Sequence, residues 1–144
     1  MTYTSNETVN GKVYTYENDW HNVLDISVLK GKTITSIEGI ESDSEGVVFK
    51  CSDGTNYLMF HIHDCCESVL IDDVCGDVED LIGSEILVAE ELNSENEPAK
   101  DPESDESFTW TFYKLATRKG YVDIKWYGVS NGYYSEEVDF CKIV

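Results

Sequence analysis

Residues 108–127 hold the stretch that decides the fold. Phe108-Thr109-Trp110-Thr111-Phe112 alternates aromatic with polar side chains, and Val122-Asp123-Ile124-Lys125-Trp126-Tyr127 repeats the alternation after Arg118-Lys119-Gly120. A period of two is that of an extended strand, whose successive side chains point to opposite faces. Phe108, Trp110 and Phe112 share one face, while Val122, Ile124 and Trp126 oppose Asp123, Lys125 and Tyr127. One apolar and one polar face per strand is what an antiparallel sheet with a solvated side requires. Packing accounts for half of the aromatic residues here, and Tyr113, Tyr127 and Tyr133 are the ones expected to face outward.

The β pattern extends in both directions. Downstream, Asn131-Gly132 is a turn, and Tyr134, Val138 and Phe140 continue the alternation. Upstream, Thr33–Ile37, Val47–Cys51, Asn56–His63, Ser68–Val74 and Ile86–Glu90 read as strands, with Asp53-Gly54 as a hairpin turn. Residues 1–17 read as a hairpin or loose arm around Asn10-Gly11. Asn18-Asp19 can cap a short helix carrying Trp20, Val23, Leu24 and Val28, with Gly31 as its stop, although Val23–Val28 also fits a strand. Asp77 can cap one or two helical turns that end at Gly83. The expected class is therefore α+β, predominantly antiparallel β, a twisted sheet or small sandwich or roll with one or two short helices. The 144 residues suffice for one domain, 1–144, that buries a core without staples.

Net charge is −19, and it is concentrated. Residues 64–106 hold sixteen acids against one base, Lys100, whereas residues 107–144 hold four acids against five bases. Within the acidic part, residues 91–107 contain both prolines and read as an exposed, mobile loop. Such a charge repels nucleic acid and anionic membrane and attracts a basic protein surface, including one that evolved to hold DNA or RNA. Solubility alone is the plain alternative. No apolar run approaches the roughly 20 residues that span a bilayer, and the N-terminal stretch lacks the basic start and apolar centre of a signal peptide. The expectation is a cytoplasmic protein with reduced thiols, since five cysteines with an adjacent pair do not resemble a secreted disulfide framework.

Chemistry concentrates in His61-Ile-His63-Asp64-Cys65-Cys66-Glu67 and on to Cys75. His61, His63 and Cys65 fall on one side of an extended chain, and Cys75 or Asp72 would complete a zinc set. The spacing matches no paired Cys-x-x-Cys or His-x-x-x-His pattern, so no cofactor is expected and zinc stays an alternative. A thiol nucleophile at Cys65 or Cys66 is opposed by neighbouring acids, which raise a thiol pKa. Asp72-Asp73, Glu90-Glu91 and Glu136-Glu137 each split across a strand, and no calcium loop, phosphate-binding loop or nucleophile elbow is present. The usual enzyme signatures are absent, and no catalytic residue is nominated.

Three pieces together resemble a small family of uncharacterised proteins encoded by bacteriophages and prophages. They are His61-x-x-Asp64-Cys65-Cys66-Glu67-x-Val69 with Ile71-x-Asp73, Asp77-x-x-Asp80-Leu81-Ile82-Gly83, and Thr109-Trp-Thr-Phe-Tyr-Lys-Leu-Ala-Thr-x-Lys-Gly-Tyr-Val with Trp126-Tyr-Gly-x-Ser-Asn-Gly-Tyr-Tyr-Ser. His63 departs from the polar residue associated with the family at that point. The resemblance implies a virus-derived accessory protein acting inside a bacterial cell, with no catalytic residues to transfer. The function expected is a non-enzymatic inhibitor of a basic host protein, such as a defence nuclease of CRISPR or restriction type. Its binding face is expected to comprise Asp72, Asp73, Asp77, Glu79, Asp80, Glu90, Glu91, Glu95, Glu97, Asp101, Glu103, Asp105 and Glu106, with the outward tyrosines. The rivals are a metal or thiol site at His61 to Cys75 and an assembly protein using an aromatic sheet face. Oligomeric state is not legible.

Overall fold

The computed structural model describes residues 3–19, 23–92 and 97–144. Ten strands form three antiparallel sheets: β1 (Thr4–Val9) with β2 (Lys12–Glu17), then β10-β5-β4-β3 (Asp139–Lys142, Asn56–Phe60, Gly46–Cys51, Ile34–Glu38), then β6-β9-β8-β7 (Ser68–Gly76, Gly120–Ser130, Ser107–Thr117, Val88–Leu92). Among the described residues there is no α-helix. Both expected helices are single 3₁₀ turns, Ile26–Leu29 and Val78–Leu81. The first begins later than the sequence suggests, because Asp25, not Asn18 or Asp19, accepts the backbone N–H of Ser27. Asp77 caps the second through the N–H of Glu79, as its position before an acidic turn implies. Trp20 lies outside the described residues.

The β4 sequence Gly46-Val-Val-Phe49 and the β5 sequence Tyr57-Leu-Met-Phe60 are apolar without alternation, and both faces of this sheet are covered. On one face Val47, Phe49, Tyr57 and Met59 meet Ile71, Leu115, Ile124 and Trp126 of the other four-stranded sheet. On the opposite face Val48, Leu58 and Phe60 pack beneath Val9 and Tyr16 of the β1–β2 hairpin. Tyr16 stands edge-on to Phe60 with ring centroids 4.9 Å apart. The molecule is thus a three-layer stack whose middle layer is dry on both sides. The hairpin belongs to the core, and is not a loose arm.

The second four-stranded sheet corrects the expected facing of β8. Pairing sets Thr111 opposite Trp126, Tyr113 opposite Ile124 and Leu115 opposite Val122. Residues 111, 113, 115 and 117 therefore face the core, and Tyr113, expected to be outward, is only 5% exposed. The Trp126 side chain is fully buried on this inner face, and Thr111 is the residue paired opposite it. Phe108, Trp110 and Phe112 are displaced to the outer face together with Tyr127.

Residues 97–106 cross that outer face, exposed but fastened. The Trp110 indole donates to Pro98 O (2.8 Å), Tyr127 donates to Asp105 Oδ2 (2.6 Å) and receives the Lys100 N–H (3.0 Å), and Lys100 Nζ pairs with Asp72. The single base of the acidic middle is spent on holding this strap. The expected mobile loop is, over these ten residues, a tethered one.

The facing of β8 gives a direct test by equilibrium urea denaturation. Leu115→Ala should cost about 2–5 kcal/mol, because a buried side chain leaves a cavity. Phe108→Ala, on the solvent side, should cost about 1 kcal/mol or less. Equal costs would contradict this phase.

A buried carboxylate corner and an acidic cleft

Two places combine enclosure with ionisable groups. The first is the corner at residues 61–67, which carries the chain from the middle sheet to the outer one. Glu67 is enclosed, 4% exposed, and its carboxylate organises the turn. Oε2 accepts from His61 Nε2 (2.9 Å) and the Asp64 N–H (3.1 Å), and Oε1 accepts the Cys65 N–H (2.8 Å). The other ring nitrogen of His61 donates to Glu137 O (2.6 Å), and His63 Nε2 donates to Glu67 O (3.0 Å). A ring that donates from both nitrogens is the doubly protonated one, so His61 and Glu67 form an ion pair in which both ring protons are used. Burial alone would raise the Glu67 pKa. The His61 bond and the backbone donors of Cys65 and Asp64 outweigh it and bring the pKa down to about 2.

This corner is not the metal site that the histidine spacing suggests. His61 and His63 both turn to Glu67, and Cys75 sits at the far end of β6, about 23 Å away along seven residues of strand. Among the described residues no group of three or more His, Cys, Asp or Glu side chains is arranged to hold a metal ion. The side chains of Cys65 and Cys66 lie against each other at the exposed tip of the turn, whereas Cys51, Cys75 and Cys141 are free.

The second place is a cleft of about 390 Å³ at the open end between the two four-stranded sheets. Six carboxylates line it: Glu17, Asp19, Asp25, Glu91, Glu137 and Asp139. Its described lining includes no Lys, Arg or His, and Leu24, Ile26, Val138 and Phe140 supply apolar walls. Burial raises the pKa of Glu91, a Tyr113 hydrogen bond offsets part of that, and the charges of Asp25 and Glu137 raise it further. Asp139 is also raised, chiefly by burial, against the lowering effects of the Ile62 N–H (2.8 Å) and His61. Burial and the Glu91 charge push the Tyr113 hydroxyl up strongly, so it stays a neutral donor. Crowded carboxylates favour either protonation or a cationic ligand.

Of the acids expected to form one face, only Glu91 reaches this cleft. Asp72 is bound to Lys100, Asp73 lies beside a bulge in β6, and Asp77, Glu79 and Asp80 cluster at the 3₁₀ turn. Glu90 sits opposite Lys114, and Glu97, Asp101, Glu103, Asp105 and Glu106 belong to the strap segment or its flanks. Glu95 lies outside the described residues. Lys125, over the Phe112 ring at 5.0 Å, and Lys114, over Tyr121 at 5.1 Å, break the outer face into mixed charge. Tyr133 is outward, 88% exposed, but joins no cluster. Sequence reasoning missed Glu17, Asp19, Asp25, Glu137 and Asp139, which come from separated segments with no shared spacing.

The corner carries a pH prediction. The folded-state pKa of Glu67 lies below its unfolded value of roughly 4.5, so its contribution is complete above that value and is lost as pH falls toward about 2. In acid titrations followed by circular dichroism, Glu67→Gln should flatten that part of the stability curve. At neutral pH, His61→Leu should cost about 3–5 kcal/mol by leaving Glu67 buried and unpaired. A loss under about 1 kcal/mol would contradict the ion pair.

No curated protein and no solved structure matches this chain. A family model described as Domain of unknown function (DUF7448) matches residues 27–140, a span that takes in the corner, the strap and strands β3 to β9. The chain belongs to the DUF7448 family.

Proposed function

We propose that this protein is a non-enzymatic inhibitor of bacteriophage or prophage origin. On this reading it acts in the cytoplasm of a bacterial host and binds a basic host protein, a defence nuclease of CRISPR or restriction type. The observation that carries the reading is the cleft, with six carboxylates and no cation among its described lining residues. A Lys or Arg side chain entering from a partner meets these carboxylates, and its alkyl stem lies against Leu24, Val138 and Phe140. The net charge of −19 steers such a partner from a distance, and repels free nucleic acid. A nuclease channel is built to accept closely spaced negative charge, which is what the cleft and the acids around it present. Support for the phage setting is the motif resemblance at residues 61–73, 77–83 and 109–135. Catalysis is not part of the reading: the two histidines are committed to Glu67 and the Tyr113 hydroxyl to Glu91.

The test is affinity capture from bacterial lysate, followed by titration of the retained protein. Affinity should fall roughly tenfold or more between about 50 and 300 mM salt, and DNA or RNA should compete. Replacing Glu17, Glu91 and Glu137 together by Gln should weaken binding at least about tenfold without unfolding the chain, since exposed charges are mostly neutral to stability. Binding should also weaken as pH falls through the raised pKa values of Glu91 and Asp139, because a cation prefers them ionised. An affinity indifferent to both salt and the triple variant would remove the reading.

A further inference from the structure

The strap at 97–106 lies on the outer sheet face, yet no residue of it is buried. Its hold is polar throughout. The Trp110 indole donates to Pro98 O, and the Tyr127 hydroxyl receives the Lys100 N–H and donates to Asp105. Lys100 Nζ rests on Asp72 and lies 5.6 Å from the centre of the Tyr127 ring. Solvent-exposed ion pairs and bonds contribute little each, so the strap is fastened but detachable. Beneath it the Tyr127 ring stands 4.5 Å from that of Trp110 and 6.2 Å from that of Phe108. An aromatic row beside a carboxylate is a surface that attracts a cation. The strap itself matches this surface poorly in charge, since five of its ten residues are acids and only Lys100 is a base. The part that fits is Pro98-Ala99-Lys100, which supplies a carbonyl to the indole and an ammonium to Asp72.

We propose that the outer face is a docking seat for an extended Pro-x-Lys or Pro-x-Arg segment of a basic protein, and that the strap is its built-in competitor. The incoming carbonyl takes the Trp110 N–H, and the incoming cation takes Asp72 and the face of the Tyr127 ring. Proline presets the extended backbone, as Pro98 does in the strap. A tethered ligand has a high effective concentration, so the strap keeps the seat closed against a free segment that makes only the same contacts. A segment that brings the cation without the surplus acids avoids the repulsion that the strap bears beside Asp72. The net charge of −19 steers such a segment inward. Trp110, Tyr127 and Asp72 do not line the cleft, so the seat stands without the reading above. A protein held in the cleft alone leaves the strap in place.

Titrating the full chain with the probe peptide acetyl-Gly-Pro-Ala-Lys-Gly-amide tests the seat. Binding is read at the Trp110 indole N–H by two-dimensional NMR, and Trp110→Phe identifies that resonance by its absence. Lys100→Ala removes the strap's own cation from a side chain that is 52% exposed, so the fold should persist. The Lys100→Ala protein should bind the probe about tenfold or more tightly than the wild-type chain, because the cis competitor is weakened. Adding Asp72→Asn, or replacing the probe's Lys by Gln, should each remove that gain. Equal affinity in the two proteins, an unmoved indole resonance in Lys100→Ala, or a gain that survives Asp72→Asn or the Gln peptide would each overturn the seat. No host protein enters the experiment, so its failure and that of the cleft reading are separate results.

Discussion

A carboxylate with no exposed surface on its side chain sits where the chain leaves one sheet for the next, and the arrangement of both sheets depends on satisfying it. Burying an ionised group costs several kcal/mol unless every lone pair finds a donor. Glu67 offsets most of that cost with three donors, His61 from the end of β5 and the N–H groups of Asp64 and Cys65 from the turn itself. His61 reaches on to Glu137 O, and Asp139 receives the Ile62 N–H. One charge pair therefore joins β5, the start of β6 and the approach to β10. The same residues that look like a catalytic or metal constellation in sequence are, in space, bonded to one another and to the turn they build.

The middle sheet explains why this fastening matters. With Val47, Phe49 and Met59 on one face and Val48, Leu58 and Phe60 on the other, it has no solvated side to mark its register. A one-residue slip would exchange two apolar faces at little hydrophobic cost. Polar contacts at the strand ends set the register where hydrophobicity does not. The Asn10 side chain does so at the hairpin, donating to Gly46 O (3.0 Å) and accepting the Glu45 N–H (2.9 Å). At the other end of β5, the His61–Glu67 pair has the same role.

Much of the β architecture was legible in the chain. Strong alternation at Val122, Ile124 and Trp126 reported a buried inner face correctly, as did the Asn10-Gly11 and Asp53-Gly54 turns. The β8 strand was legible as a strand but not in phase, because its aromatic residues lie on the outer face and its core face is Thr111, Tyr113, Leu115 and Thr117. Only pairing with Trp126 decides which set goes inside, and pairing is non-local. Asp77 and Gly83 placed the second helical turn, while the first is capped by Asp25 and not by Asn18 or Asp19; both are shortened to 3₁₀, since each carries only one or two buried anchors, Ile26 and Leu29 or Leu81. Site residues were the least legible. The acid-rich segment drew attention by density, but density is a property of the chain, and Lys100, Lys114 and Lys125 dilute it on the surface. The cleft collects its carboxylates from residues 17–25, 91 and 137–139, segments that share no spacing along the chain.

Function on this account resides in that gathered charge, between sheets fastened by Glu67. Mapping where a bound partner protects the protein addresses it most directly. Hydrogen–deuterium exchange of the protein with and without its captured host partner should show new protection at residues 17–19, 23–26 and 137–141. The strap at 97–106 should change little. Protection confined to the strap and the outer aromatic face, with the cleft segments unaffected, would contradict the account.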